Sequence, residues 1–125
     1  MEIIGFDHIV LCVRDVEAAV SFYREVVGLD AREERPGKWS LHFGDNKISL
    51  QDAASPPEMA RGTLPGTGNF CLVTETPVGA VAERLRDHGV EILTGPVEKV
   101  GAIGPLMSVY FRDLDGNLVE ISNRV

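Results

Sequence analysis

The chain is poor in the residues that build the most familiar protein sites. It holds two cysteines, Cys12 and Cys71, and no CxxC pair, so neither a thiolate zinc centre nor a disulfide framework is written into it. Each cysteine lies in an apolar run, HIVLCV or NFCLV, and reads as a small hydrophobe, reduced and buried. Histidines number three and tryptophans one. Basic residues are outnumbered, twelve Lys and Arg against nineteen Asp and Glu, for a net charge of −7. That balance speaks against nucleic acid and anionic membranes as partners and tolerates a cationic ligand. No apolar run approaches the roughly 20 residues of a membrane span. The N-terminus, MEIIGFDHI, lacks the basic stretch and cleavage site of a secretory signal. The expectation is a cytoplasmic protein, 125 residues long and 44% hydrophobic, built as a single domain over 1–125.

What the chain does have is an internal repeat. With His8 placed over Asn69, an offset of 61, Ile9 falls on Phe70, Leu11 on Leu72, Val20 on Val81 and Gly28 on Gly89. Further along, Phe43 matches Phe111 at 68 and Gln51 matches Glu120 at 69. Two copies at so long a period make paired halves, not a solenoid. The first module runs from about 4 to 53, a Pro-, Gly- and Ala-rich linker covers 54–68, and the second module covers 69–123. The extra length of the second copy falls in Glu98–Met107.

Each module reads as β-α-β-β-β. FDHIVLCV and NFCLVT are short β-rich runs. Asp15 caps a helix over 15–27 whose apolar residues recur at helical spacing, and Gly28 closes it. Thr76 as N-cap and Pro77 at the first helical position open a second helix over 77–88, ended by Gly89. His88 there is a cation at a helix C-terminus. Residues 30–34 suit an edge strand, with Glu33, Glu34 and Arg35 on a solvated face. Trp39–Phe43 with Lys47–Gln51, and Ser108–Arg112 with Asn117–Ser122, form hairpins around GDN and DLDG. Val90–Leu93 is a short strand, and Gly101, Gly104 and Pro105 mark a loop.

Alternation along the strands sends Ile9, Leu11, Ile48, Leu50, Phe70, Leu72, Val119 and Ile121 under the helices. His8, Gln51, Asn69 and Glu120 then share the opposite face. Pairing Phe43 with Ile48 sets His42 opposite Ser49 and diagonal to Gln51; pairing Val109 with Val119 sets Ser108 opposite Glu120, with Tyr110 on the same face. His8 and Glu120 are good divalent-metal ligands; the plainer alternative is a structural histidine–carboxylate pair.

The runs FDHIVLCVRDVEAAVSFYREVVGL and SVYFRDLDGNLVEI, with the half-repeat between them, resemble the vicinal oxygen chelate superfamily of glyoxalases, extradiol dioxygenases and fosfomycin- and bleomycin-resistance proteins. The resemblance implies an α+β fold of two βαβββ modules in curved mixed sheets enclosing a cleft, and a homodimer. It implies a divalent metal (Mn, Mg, Ni, Fe or Zn) held by His8, Gln51 and Glu120, with Glu120 and Gln51 catalytic. Asn69 stands where most metal-using members have a histidine. Asn69, His42, Ser108 and Tyr110 would contact a small oxygen-chelating substrate, Tyr110 matching a substrate-contacting tyrosine. The implied activity is a metal-dependent lyase or isomerase, or a ring-cleaving dioxygenase. The other reading is a metal-free, drug-sequestering protein of the resistance type.

Overall fold

The computed structural model describes residues 1–55 and 60–125, so part of the linker, 56–59, lies outside the described residues. The chain divides into two compact units, Met1–Gly66 and Thr67–Val125. The first contains β1 (His8–Val13), α1 (Val16–Phe22), a π-helical turn (Tyr23–Val27), β2 (Asp30–Arg35), β3 (Lys38–Phe43) and β4 (Asn46–Asp52). The second contains β5 (Asn69–Val73), α2 (Val78–Asp87), β6 (Thr94–Gly101), β7 (Gly104–Arg112) and β8 (Leu118–Arg124). The sheets run β1-β4-β3-β2 and β5-β8-β7-β6. In each, the first strand pairs parallel with the last and the other pairings are antiparallel. This is the expected α+β architecture of two βαβββ modules.

Helix α1 forms where the sequence placed it. The Asp15 carboxylate accepts from the Ala18 N–H at 3.0 Å, and Gly28 ends the π turn at φ 87°. Ala19, Val20, Tyr23 and Val26 bury against Leu11, Val13, Leu41, Ile48 and Leu50. In the second unit Val81, Ala82 and Leu85 join Val109, Phe111, Val119 and Ile121.

The start of α2 differs from expectation. Pro77, not Thr76, is the N-cap, with φ −51° and ψ 133°, and it has no side chain that can cap. Asn123 of β8 does the capping: its Oδ1 accepts from the Val78 N–H at 2.7 Å, and its Nδ2 donates to the Thr74 and Thr76 carbonyls at 2.8 Å each. One long-range amide thus ties the helix start to the sheet, which no local motif could reveal. Asn123→Ala strands three backbone groups and should lower stability by about 1–3 kcal/mol, read from urea unfolding midpoints.

Both hairpins settle two residues away from the expected register. Leu41 pairs with Ile48 and His42 with Lys47; Val109 pairs with Ile121 and Tyr110 with Glu120. The turns decide this. Phe43 pairs with Asn46 across a two-residue Gly44–Asp45 turn. In the second hairpin the buried Asp113 carboxylate accepts from the Asp115 and Asn117 N–H groups at 3.0 Å each and from Asn117 Nδ2 at 2.8 Å. A slip of two keeps every side chain on its face. It removes His42 from the diagonal of Gln51 and brings Tyr110 against Glu120.

The longer second module has its extra length in β6 and β7, eight and nine residues against six each for β2 and β3. The expected strand at Val90–Leu93 begins instead at Thr94; of that segment, the Leu93 N–H donates to the Tyr110 carbonyl at 2.8 Å. Gly101 ends β6, and Gly104 and Pro105 begin β7 rather than a loop.

Candidate functional site

The non-helix face of the second sheet carries a groove of about 340 Å³. Its chemistry comes from Cys71, Tyr110, Glu120, Lys99 and Arg124, its apolar wall from Val73, Val100 and Leu106. Alternation along β5, β7 and β8 places these side chains together. Tyr110 lies opposite Glu120, and Glu120 lies beside Cys71 on the parallel neighbour.

Glu120 is surrounded by neutral donors. The Ser122 hydroxyl donates to its Oε1 at 3.3 Å, and Ser122 Oγ lies 2.7 Å from Ser108 Oγ and 3.2 Å from Cys71 Sγ. Ser108 and Ser122 are fully buried. The Tyr110 hydroxyl donates to the Glu120 carboxylate as well. Burial first, then that hydrogen bond and the carboxylate charge, push the Tyr110 phenol up to about 12. Partial desolvation against the groove wall raises the Cys71 thiol even though the residue is exposed; the Ser122 hydrogen bond opposes this and the Glu120 charge adds to it. Lys99 Nζ stands 5.5 Å from the Tyr110 ring centroid. The groove therefore holds phenol and thiol in their neutral, donating forms and offers one carboxylate.

Cys71 corrects an expectation. Cys12 is buried, but Cys71 is exposed, because it sits on the edge strand β5 on the face that α2 does not cover. Asn69, at the start of the same strand, is also exposed.

In the first unit the sequence-derived residues separate. His8 is exposed, and its Nδ1 lies 2.7 Å from Asp7 Oδ1. Its partner on β4 is Lys47, whereas Gln51 pairs with Cys12, four positions further on. At strand rise that is about 13 Å along the sheet. Gln51 Nε2 donates to the Asp52 and Ser55 carbonyls, at 3.2 and 3.0 Å, which draws the side chain toward the loop after β4 and away from His8. Register also revises the internal match. Val10, the repeat partner of Cys71, lies beside Ser49, so Ser49 holds the place in the first unit that Glu120 holds in the second.

His42 belongs to a cluster that sequence reasoning missed. Its Nε2 is 3.6 Å from Glu34 Oε1, and Lys47 Nζ is 2.6 Å from the same oxygen. Glu34 was read as part of a solvated face. A β-bulge between Glu33 and Arg35 turns it toward His42 and Lys47 instead. The Lys47 hydrogen bond above all brings its carboxyl down to about 2. A carboxyl depressed in the fold stabilises above its unfolded value of 4.5, and that contribution is lost as pH falls through about 2. The pair is partly solvated, so salt weakens it. Glu34→Gln should therefore flatten the acid limb of the stability profile between those values, most visibly at low salt, in thermal melts across the pH series.

Two βαβββ units, one of them carrying a polar groove on its open sheet face, define the glyoxalase class of folds. The chain belongs to the Glyoxalase/Bleomycin resistance protein/Dioxygenase superfamily, which it matches over residues 5–121. It is 42% identical over 121 residues to virulence protein STM3117 of Salmonella typhimurium, across 95% of this chain and 83% of that one. The crystal structure of STM3117 is similar with a TM-score of 0.93 and 41% identity over 100% of both chains. Integron cassette protein VCH_CASS1, from the mobile metagenome of V. cholerae, is similar at a TM-score of 0.95 and 37% identity, over 100% of this chain and 98% of that one. TnmS3, an antibiotic binding protein from Streptomyces sp. CB03234, is similar at 0.78 and 26% identity, over 100% and 99%.

Proposed function

We propose that this protein binds a small organic molecule in the groove of its second unit, anchored on Glu120 and lined by Tyr110 and Cys71. The groove itself carries this reading. It joins a carboxylate, two neutral donors and an apolar wall in one concavity, the make-up of a small-molecule site. The likeness to the antibiotic binding protein TnmS3 supports the same reading.

Of the residues expected to hold a divalent metal, His8, Gln51 and Glu120, the two in the first unit do not converge as ligands of one ion would. Ligands of one ion must place their atoms about 2.0–2.6 Å from it, and His8 and Gln51 are four positions apart on paired strands, with Gln51 held away. Resistance-type sequestration is thus favoured over a metal-dependent lyase, isomerase or ring-cleaving dioxygenase.

One observation favours the enzyme as a second reading. The Asp7 carboxylate engages His8 Nδ1, which fixes the ring and leaves Nε2 as the nitrogen for a ligand. Calorimetric titration of metal-stripped protein with Mn²⁺, Ni²⁺ and Zn²⁺ separates the two. Absence of saturable binding supports the metal-free site. Stoichiometric binding lost in both His8→Ala and Glu120→Ala would overturn it in favour of the metal enzyme.

We also infer a cytoplasmic homodimer. Strands β1 and β5 are each an edge of their own sheet, Val10 and Val73 on them are 56% and 50% exposed, and Ile3, Ile4 and Phe6 just before β1 are more exposed still. Light scattering should give about twice 13.6 kDa; the single-chain mass at micromolar concentration counts against it. Among the described residues no helix is long and apolar enough to cross a membrane.

A further inference from the structure

Three strands set a row of charge at one end of the groove. Leu106 of β7 pairs with Lys99 of β6 on one side and with Arg124 of β8 on the other. Four residues along the same strands lies the row of Tyr110, Glu120 and Cys71. Side chains two and four positions apart share a face, so both rows open into the same groove, as its lining confirms. The two rows are about 13 Å apart by backbone rise. Lys99 leans across that gap, with its ammonium 5.5 Å from the Tyr110 ring. Between the rows stands Val73, level with Ser122, and Leu106 lies between the two cations. Among the described residues neither Lys99 nor Arg124 forms a salt bridge with a carboxylate.

A groove that holds one carboxylate and two cations, neither of them paired with a carboxylate among the described residues, is complementary to a ligand that carries both charges. We propose that the ligand is a dipolar amphiphile: a carboxylate held by Lys99 and Arg124, an aliphatic middle against Leu106 and Val73, and an amine on Glu120. This rests on the reading of the groove as the ligand site and adds the class of ligand it takes. The guanidinium of Arg124 suits a planar carboxylate, and the Lys99 ammonium adds a point charge. Tyr110 and Cys71, kept neutral, can donate to the same ligand without repelling it.

The test is an NMR titration following the backbone amides of Cys71, Gly101, Ala102 and Glu120, with three probes of equal chain length. ε-Aminocaproate carries both charges, caproate only the anion and hexylamine only the cation. ε-Aminocaproate should bind at least ~10-fold more tightly than either control, as expected for two charge contacts in place of one. Lys99→Met and Arg124→Met should each weaken ε-aminocaproate and caproate by roughly 5- to 10-fold and should not weaken hexylamine. Lys99→Arg should restore binding, and unchanged spectra of the free variants show that they fold. Hexylamine binding as tightly as ε-aminocaproate, or indifference of all probes to both variants, overturns the dipolar ligand while the groove still binds. If neither these probes nor neutral compounds of the same length move the groove amides, the dipolar ligand and the binding reading fall together.

Discussion

Alanine at Gly95 is expected to cost the protein about 3–5 kcal/mol, a large part of the stability of a small domain. Gly95 has φ +112°, where an L side chain is strained. A Cβ there would lie 2.3 Å from the Ser108 carbonyl oxygen and 2.9 Å from the Val109 Cα, and both are backbone atoms that cannot swing aside. The register of β6 against β7 shifts between Thr94 and Val97, so this glycine is where the strand crosses closely over its neighbour. The damage should reach the site as well. Ser108 forms the buried pair with Ser122, and Ser122 donates to Glu120. Gly79 is the control: it lies in α2, exposed, with nothing within 4 Å of an added Cβ. Gly79→Ala should be neutral or gain about 0.5 kcal/mol through helix propensity. Urea unfolding followed by circular dichroism reads both. A Gly95→Ala variant within about 1 kcal/mol of wild type would mean that β6 can shift off β7 at little cost.

The fold was legible because its signals are local and were stated twice. Asp15 and Gly28 frame α1, period-2 runs mark the strands, and the second module repeats the order. The face of each strand followed from the same alternation, and it survived hairpin registers that were two residues off. What escaped the sequence was non-local or irregular. The α2 cap comes from Asn123, forty-five residues after the N–H it accepts from. Glu34 reaches His42 and Lys47 through a bulge, and a bulge breaks the alternation on which face assignments rest. Lys99 and Arg124 enter the groove because β6 and β7 extend further than the turn residues Gly101, Gly104 and Pro105 suggested. Only the register could show that Gln51 lies four positions from the level of His8, since matching the halves by residue type had set it over Glu120.

Glu120→Gln should remove most of the groove's affinity for amines and lower the Tyr110 pKa in the same protein. Glutamine keeps the shape and an oxygen for the Ser122 hydroxyl, so the variant should fold. It loses the charge. A charge-assisted hydrogen bond to an ammonium is worth about 1.5–3 kcal/mol, so hexylamine should bind roughly 10- to 100-fold more weakly. Tyr110 supplies a second readout that needs no ligand. Its phenol stands at about 12 because of burial first, then the hydrogen bond to Glu120 and the negative charge there. Burial persists in the variant while the charge does not, so the pKa should move part of the way back toward 10. Tyrosinate absorbance follows this directly, and Tyr23, 1% exposed in the first core, serves as the internal reference. The sign carries into stability. A phenol raised in the fold stabilises fully below its unfolded pKa of 10, and that contribution is lost as pH rises through about 12. Glu120→Gln should therefore flatten the alkaline limb of the stability profile between those values. An unmoved Tyr110 titration would show that the phenol and carboxylate do not meet in solution, and unchanged hexylamine affinity would remove Glu120 as the anchor of the groove.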